Sequence, residues 1–94
     1  MLDFYLIKDE QPKPDYPEQL NLEFAGGIDF KTFNDLIRKG IIDSRFDYYS
    51  DFRWTIQMIQ QILERLEDRE GNEQLDQILQ KATRSNVGLI AYCD

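Results

Sequence analysis

Apolar and polar positions alternate along the chain in ways that predict three β-strands. Leu2–Ile7 (LDFYLI) is a short apolar run that ends in charged residues, as a buried strand does. Residues 20–24 (LNLEF) alternate strictly, which predicts a half-buried strand, and residues 25–27 (AGG) are expected to end it. Residues 87–93 (VGLIAYC) are apolar at nearly every position. This pattern is typical of a strand that lies in the interior of its sheet or is covered on both sides.

Three further stretches carry apolar residues at helical spacing. In the first, Phe30, Phe33 and Ile37 share one face, with Asp29 placed to cap the start and Gly40 to end the helix.

A long second helix is predicted from about Asp51 or Trp54. Its broad apolar stripe consists of Trp54, Ile56, Met58, Ile59, Ile62, Leu63 and Leu66. The third helix is predicted to be capped by Asn72. Its apolar face consists of Leu75, Ile78, Leu79 and Ala82.

The element order is therefore β, β, α, an irregular segment over residues 41–52, α, α and β. This order predicts an α+β fold, a small mixed or antiparallel sheet of about three strands packed against three helices, in one domain over residues 1–94. All three prolines fall within residues 8–18, so this segment is expected to be a loop or an extended connection crossing the sheet.

The chain is acidic, with 18 acidic and 11 basic side chains and a formal net charge of -7. This balance disfavours binding to nucleic acid or to an anionic membrane surface. It is compatible with a basic protein partner and also with solubility alone. The single cysteine, Cys93, cannot form an intrachain disulfide, and the first residues lack the basic region of a signal peptide. The expected location is the cytoplasm.

Several catalytic chemistries are excluded by composition. The chain has no histidine, which removes histidine-based nucleophilic triads and zinc sites built from Cys and His. The phosphate-binding glycine motifs are missing too. Asp43, Asp47 and Asp51 are spaced by four and are weak candidates for Mg²⁺ or Ca²⁺ ligands, with capping and solvation as the favoured roles. No catalytic residue and no cofactor are expected.

The strongest local anomaly is an aromatic and arginine-rich segment at residues 45–54. Tyr, Trp and Arg dominate the binding energy of protein interfaces. The predicted partner-binding residues are Arg45, Tyr48, Tyr49, Arg53 and Trp54. The alternative for Phe46, Phe52 and Trp54 is that they complete the core where the long helix starts. Tyr48 and Tyr49 are adjacent, so in extended chain they point to opposite sides and one of them is expected to be exposed.

The leading functional hypothesis is a non-catalytic protein-interaction domain that binds a basic partner. A small bacterial immunity-type or regulatory protein is one form that such a domain takes. A structural homo-oligomer, such as a homodimer paired through sheet edges, is the first alternative. An enzyme using carboxylates and Mg²⁺ is a further alternative. A DNA mimic is disfavoured, because the acidic residues form no long run that could imitate a row of phosphates.

Overall fold

The computed structural model describes residues 1–16, 19–67 and 73–93. Within these residues the elements are β1 (Leu2–Ile7), β2 (Phe24–Ile28), α1 (Phe30–Arg38), β3 (Phe52–Trp54), α2 (Ile56–Glu67), α3 (Glu73–Ser85) and β4 (Gly88–Cys93). The strands form one antiparallel sheet in the order β2-β1-β4-β3. The α+β class is confirmed, and the described part of the chain contains four strands where about three were predicted.

One face of the sheet and the helices enclose the main core. Alternate strand residues point to this face, so β1 contributes Leu2 and Phe4 while β4 contributes Leu89 and Ala91, all of them fully buried. The helices cover them with their apolar stripes: Phe33, Leu36, Ile59, Ile62, Leu66, Leu75, Ile78, Leu79 and Ala82. The prediction that the last strand is interior is confirmed, since β4 lies between β1 and β3.

The opposite face of the sheet carries a second, smaller cluster of Ile7, Ile90 and Tyr92. The proline-containing residues 8–16, here called the crossing segment, pass over it. The Tyr92 hydroxyl donates a buried hydrogen bond of 2.8 Å to the carbonyl oxygen of Pro14, which is itself buried. Of the two predicted forms for this segment, the structure shows the connection that crosses the sheet.

Two side chains anchor the start of the crossing segment. The Arg53 guanidinium on β3 donates to the carbonyl oxygens of Gln11, Lys8 and Asp9, at 2.7, 2.9 and 3.3 Å. The Asp9 carboxylate accepts from the backbone N–H of Ile56, the first residue of α2, at 3.2 and 3.3 Å. A charged acceptor at a helix N-terminus satisfies a backbone donor that has no intrahelical partner.

The second strand differs from its predicted position. It spans Phe24–Ile28 rather than residues 20–24, and the glycines expected to end it lie inside it. The pairing with β1 shifts register between Phe4 and Tyr5, which inserts a bulge into β2. Gly26 adopts φ +149° there, and a Cβ would lie 2.7 Å from the Ile78 side chain on α3. Glycine therefore allows α3 to approach this strand closely.

A short strand, β3, replaces the predicted start of the long helix. Phe52 and Trp54 face the core, and Arg53 faces the crossing segment. The helix begins instead at Ile56, and the Thr55 hydroxyl accepts from the backbone N–H of Met58 at 3.2 Å as an N-cap does.

The first helix has the predicted ends. The Asp29 carboxylate accepts from the backbone N–H of Thr32 at 2.7 Å, and this hydrogen bond holds the pKa of Asp29 below its ordinary value. At the other end Gly40 has φ +73°, which turns the chain and places the fully buried Ile41 against the core. The predicted cap of α3, Asn72, lies outside the described residues.

Candidate functional site

The five predicted partner-binding residues occupy different environments. Trp54 is 0% exposed and packs between the rings of Phe4 and Phe46, at centroid distances of 5.1 and 6.0 Å. It therefore belongs to the core and is not available to a partner in this conformation. Arg53 is half-buried and its guanidinium is engaged by the crossing segment. For both residues the structure shows a role in the fold.

The adjacent tyrosines separate as the sequence predicts. Tyr49 is 70% exposed, whereas Tyr48 is 8% exposed and contacts the core residue Phe33 at 5.7 Å between ring centroids. Burial raises the pKa of the Tyr48 phenol above its ordinary value. Tyr49 is thus a surface residue, and Tyr48 is a buried residue that packs beneath it.

An aromatic patch is formed by the exposed rings of Phe30 and Tyr49 and the buried ring of Tyr48, which both of them contact. The Phe30 and Tyr49 rings stack at 5.8 Å, and each meets the Tyr48 ring edge to face, at 5.3 and 5.1 Å. Phe30 is 49% exposed although it is the first residue of α1 and lies on the predicted apolar face. Because Phe30 shares an apolar helical face with Phe33 and Ile37, the sequence did not predict this member of the patch.

Beside the patch lies an aromatic groove with a volume of about 220 Å³. It runs between α1 and the segment that follows residue 43. The residues lining it are Phe30, Phe33, Asn34, Ile37, Ser44, Phe46, Asp47 and Tyr48. Among these described lining residues Asp47 alone carries a charge, so the groove combines aromatic side chains with one acidic residue.

Arg45 is exposed and lies on a neighbouring surface. Its guanidinium carbon sits 4.9 Å from the centroid of the Phe46 ring, a cation–π contact. It lines a separate small depression together with Asp43 and Arg65. Arg45 therefore does not line the aromatic groove, although the two sites share the Phe46 ring.

The three aspartates considered as metal ligands have separate local roles. Asp43 accepts from the backbone N–H of Arg45 at 2.9 Å, and Asp47 accepts from that of Tyr49 at 3.0 Å, as in Asx turns. Asp51 pairs with Lys13 at 3.5 Å. Across the described parts of the chain, no three His, Cys, Asp or Glu side chains come together as a metal site requires.

No family model, no curated protein and no solved structure matches this chain. None of the helices in the described ranges has both the length and the apolar character needed to cross a membrane.

Proposed function

We propose that this chain is a non-catalytic protein-interaction domain that binds a basic protein partner. The observation that carries the proposal is the stacked, exposed pair of Phe30 and Tyr49 beside a groove lined by one acidic residue, Asp47. Large aromatic rings held at the surface lose water-exposed apolar area when a partner covers them, and few torsions must be frozen.

The charges of the molecule support the choice of a basic partner. The chain has a formal net charge of -7, and Asp29 and Asp47 lie beside patch residues in the sequence. The hydrogen bonds that the Asp29 carboxylate accepts from Thr32 hold the pKa of Asp29 below its ordinary value and favour the ionised form. Complementary charge accelerates encounter with a cationic surface and disfavours acidic partners.

The test is capture of a partner from native lysate with a double variant, Phe30→Ser with Tyr49→Ser. We expect a protein of basic isoelectric point to be retained by the native chain and lost with the double variant. Tyr16→Ser is the matched control, because Tyr16 is 54% exposed in the crossing segment and outside the patch. Retention of the same protein by the double variant, or capture of nothing by the native chain, would contradict the proposal.

A homodimer is a second candidate, supported by the edge position of β2. Phe24 on this strand is 50% exposed, and its ring meets that of Tyr5 at 5.5 Å. An edge strand with an exposed aromatic ring can pair with a second copy. The Lys81 ammonium opposes such pairing, because it already donates to the Phe24 carbonyl oxygen at 3.2 Å. Sedimentation equilibrium at millimolar concentration decides this case, and a monomer there would exclude it.

A further inference from the structure

We infer that the aromatic groove is a receptor for one arginine side chain of the partner. The inference rests on the proposed function and adds the chemistry of the contact. The guanidinium would lie against the rings of Phe30 and Tyr48 and reach the carboxylate of Asp47.

The size of the groove fits a side chain better than a free small molecule. Ligand pockets for drug-sized molecules span about 300 to 1,000 Å³. The groove has a volume of about 220 Å³, which lies below this range. A long, narrow side chain delivered by a partner surface needs no more room than this.

The walls of the groove suit a planar cation. Aromatic faces attract cations, and the guanidinium adds flat stacking that an ammonium lacks. The chain itself contains an example, because the Arg45 guanidinium already lies 4.9 Å from the centroid of Phe46, a ring that also lines the groove. An arginine side chain of the partner would make the same type of cation–π contact with rings that line the groove.

Asp47 supplies the charge and retains capacity to accept hydrogen bonds. One carboxylate oxygen accepts from the Tyr49 N–H at 3.0 Å and the other from the Ser50 hydroxyl at 3.3 Å. An ionised carboxylate has about four acceptor positions in all. Two positions therefore stay available for the parallel N–H groups of a guanidinium, and the internal bonds fix the direction of the carboxylate.

The direct test is a titration of the isotopically labelled chain with blocked tripeptides, followed by two-dimensional amide NMR. We expect Ac-Gly-Arg-Gly-NH₂ to cause saturable shifts at Phe30, Ser44 and Tyr48. The lysine tripeptide should bind several-fold more weakly, and the citrulline tripeptide, which is planar but uncharged, should cause no saturable shift. Absence of saturable shifts with the arginine tripeptide at tens of millimolar, or equal shifts with citrulline, would overturn the inference.

The variant Asp47→Asn tests the role of the carboxylate charge without removing the side chain that holds the turn. Asparagine keeps a side-chain oxygen that can accept from the Tyr49 N–H, so the turn is preserved while the charge is removed. We expect binding of the arginine tripeptide to weaken by about tenfold, because a hydrogen bond to a charged group is replaced by a neutral one. Glu64→Gln, an exposed change on α2 outside the groove, is the control and should leave binding unchanged. Equal binding by the Asp47 variant and the native chain would contradict the assigned role.

The two proposals fail in different ways. Partner capture that depends on Phe30 and Tyr49, combined with no response to the arginine tripeptide, would remove the arginine assignment and leave the interaction surface. Partner capture that is insensitive to the double variant would remove the proposed interaction surface itself.

Discussion

At the scale of single residues, Gly88 shows how little space the sheet leaves for change. A Cβ at this position would lie 2.6 Å from the Trp54 carbonyl oxygen and 2.7 Å from a carboxylate oxygen of Asp9. The carbonyl belongs to β3, which pairs with β4, so it cannot move without disturbing the sheet. We expect Gly88→Ala to lower the free energy of unfolding by about 1–3 kcal/mol, measured by urea denaturation.

Gly27→Ala is the matched control for that measurement. A Cβ there would meet the Met1 sulfur at 2.6 Å and the Asp3 carboxylate at 3.1 Å. Met1 is 57% exposed and its side chain can swing away. This change should therefore cost no more than about 0.5 kcal/mol, as most surface substitutions do. Equal losses for the two alanines would show that the close contact at Gly88 does not constrain the strand.

Trp54 combines complete burial with an unsatisfied polar atom. Its indole N–H has no hydrogen-bond partner among the described residues. Trp54→Ala should lower the free energy of unfolding by about 3–5 kcal/mol, because it leaves a large cavity. Trp54→Phe should cost far less, since it keeps a ring and removes a buried donor whose lost hydration is worth about 1–3 kcal/mol. Chemical denaturation of the two variants checks this, and equal costs would argue against an unpartnered N–H.

At the scale of elements, Arg53 joins β3 to the crossing segment. Its three hydrogen bonds to Gln11, Lys8 and Asp9 are the contacts that Arg53→Ala removes. We expect faster amide hydrogen exchange over residues 8–16 and a loss of about 1–2 kcal/mol in unfolding free energy, because Arg53 is partly solvated. Arg45→Ala is the control, since Arg45 is exposed and should leave exchange in that segment unchanged. Unaltered exchange in the Arg53 variant would contradict the anchoring role.

The first helix carries a pH dependence that follows from its cap. The pKa of Asp29 is lowered below 3.8 in the folded chain, chiefly by the hydrogen bond from the Thr32 N–H. A lowered carboxyl pKa contributes stability that is present above pH 3.8 and is lost as the pH falls through the folded value. The melting temperature of Asp29→Asn should therefore be below that of the native chain at pH 7 and approach it at the lowest pH. A constant difference from pH 7 to pH 2 would contradict this linkage.

The elements that the sequence predicts best are those with a repeated local signal. β1 has the predicted bounds, and α1 has a cap and a terminal glycine that act through neighbouring residues. β3 has only three residues, too few to show the alternation of apolar and polar positions that predicts a strand. Its pairing with β4, a long-range contact, is what stabilises it as a strand. In β2 the pair of glycines has the sequence pattern of a turn. Glycine is needed at position 26 because the Ile78 side chain on α3 packs against it, and this long-range contact is not visible in the local sequence.

At the scale of the whole molecule, the candidate site is only partly readable from the sequence. The segment at residues 45–54 is recognisable by its composition, and the exposure of one of its two adjacent tyrosines follows from local geometry. Phe30 was not recognisable, because it continues an apolar helical stripe and only the position of the helix start leaves it at the surface. Trp54 enters the core because β3 pairs with the interior strand β4, a long-range contact.

Two adjacent residues of the aromatic patch, Tyr48 and Tyr49, differ in burial, so substitutions at them should have different effects. Tyr48 is 8% exposed within the main core, whereas Tyr49 is 70% exposed. Tyr48→Ser should lower the free energy of unfolding by about 3 kcal/mol or more, since it removes a buried ring. Tyr49→Ser should change it by no more than about 0.5 kcal/mol and still weaken partner capture. Chemical denaturation and capture on the same two proteins check this, and a Tyr49 variant that unfolds as readily as the Tyr48 variant would show that the exposed ring supports the fold rather than a partner.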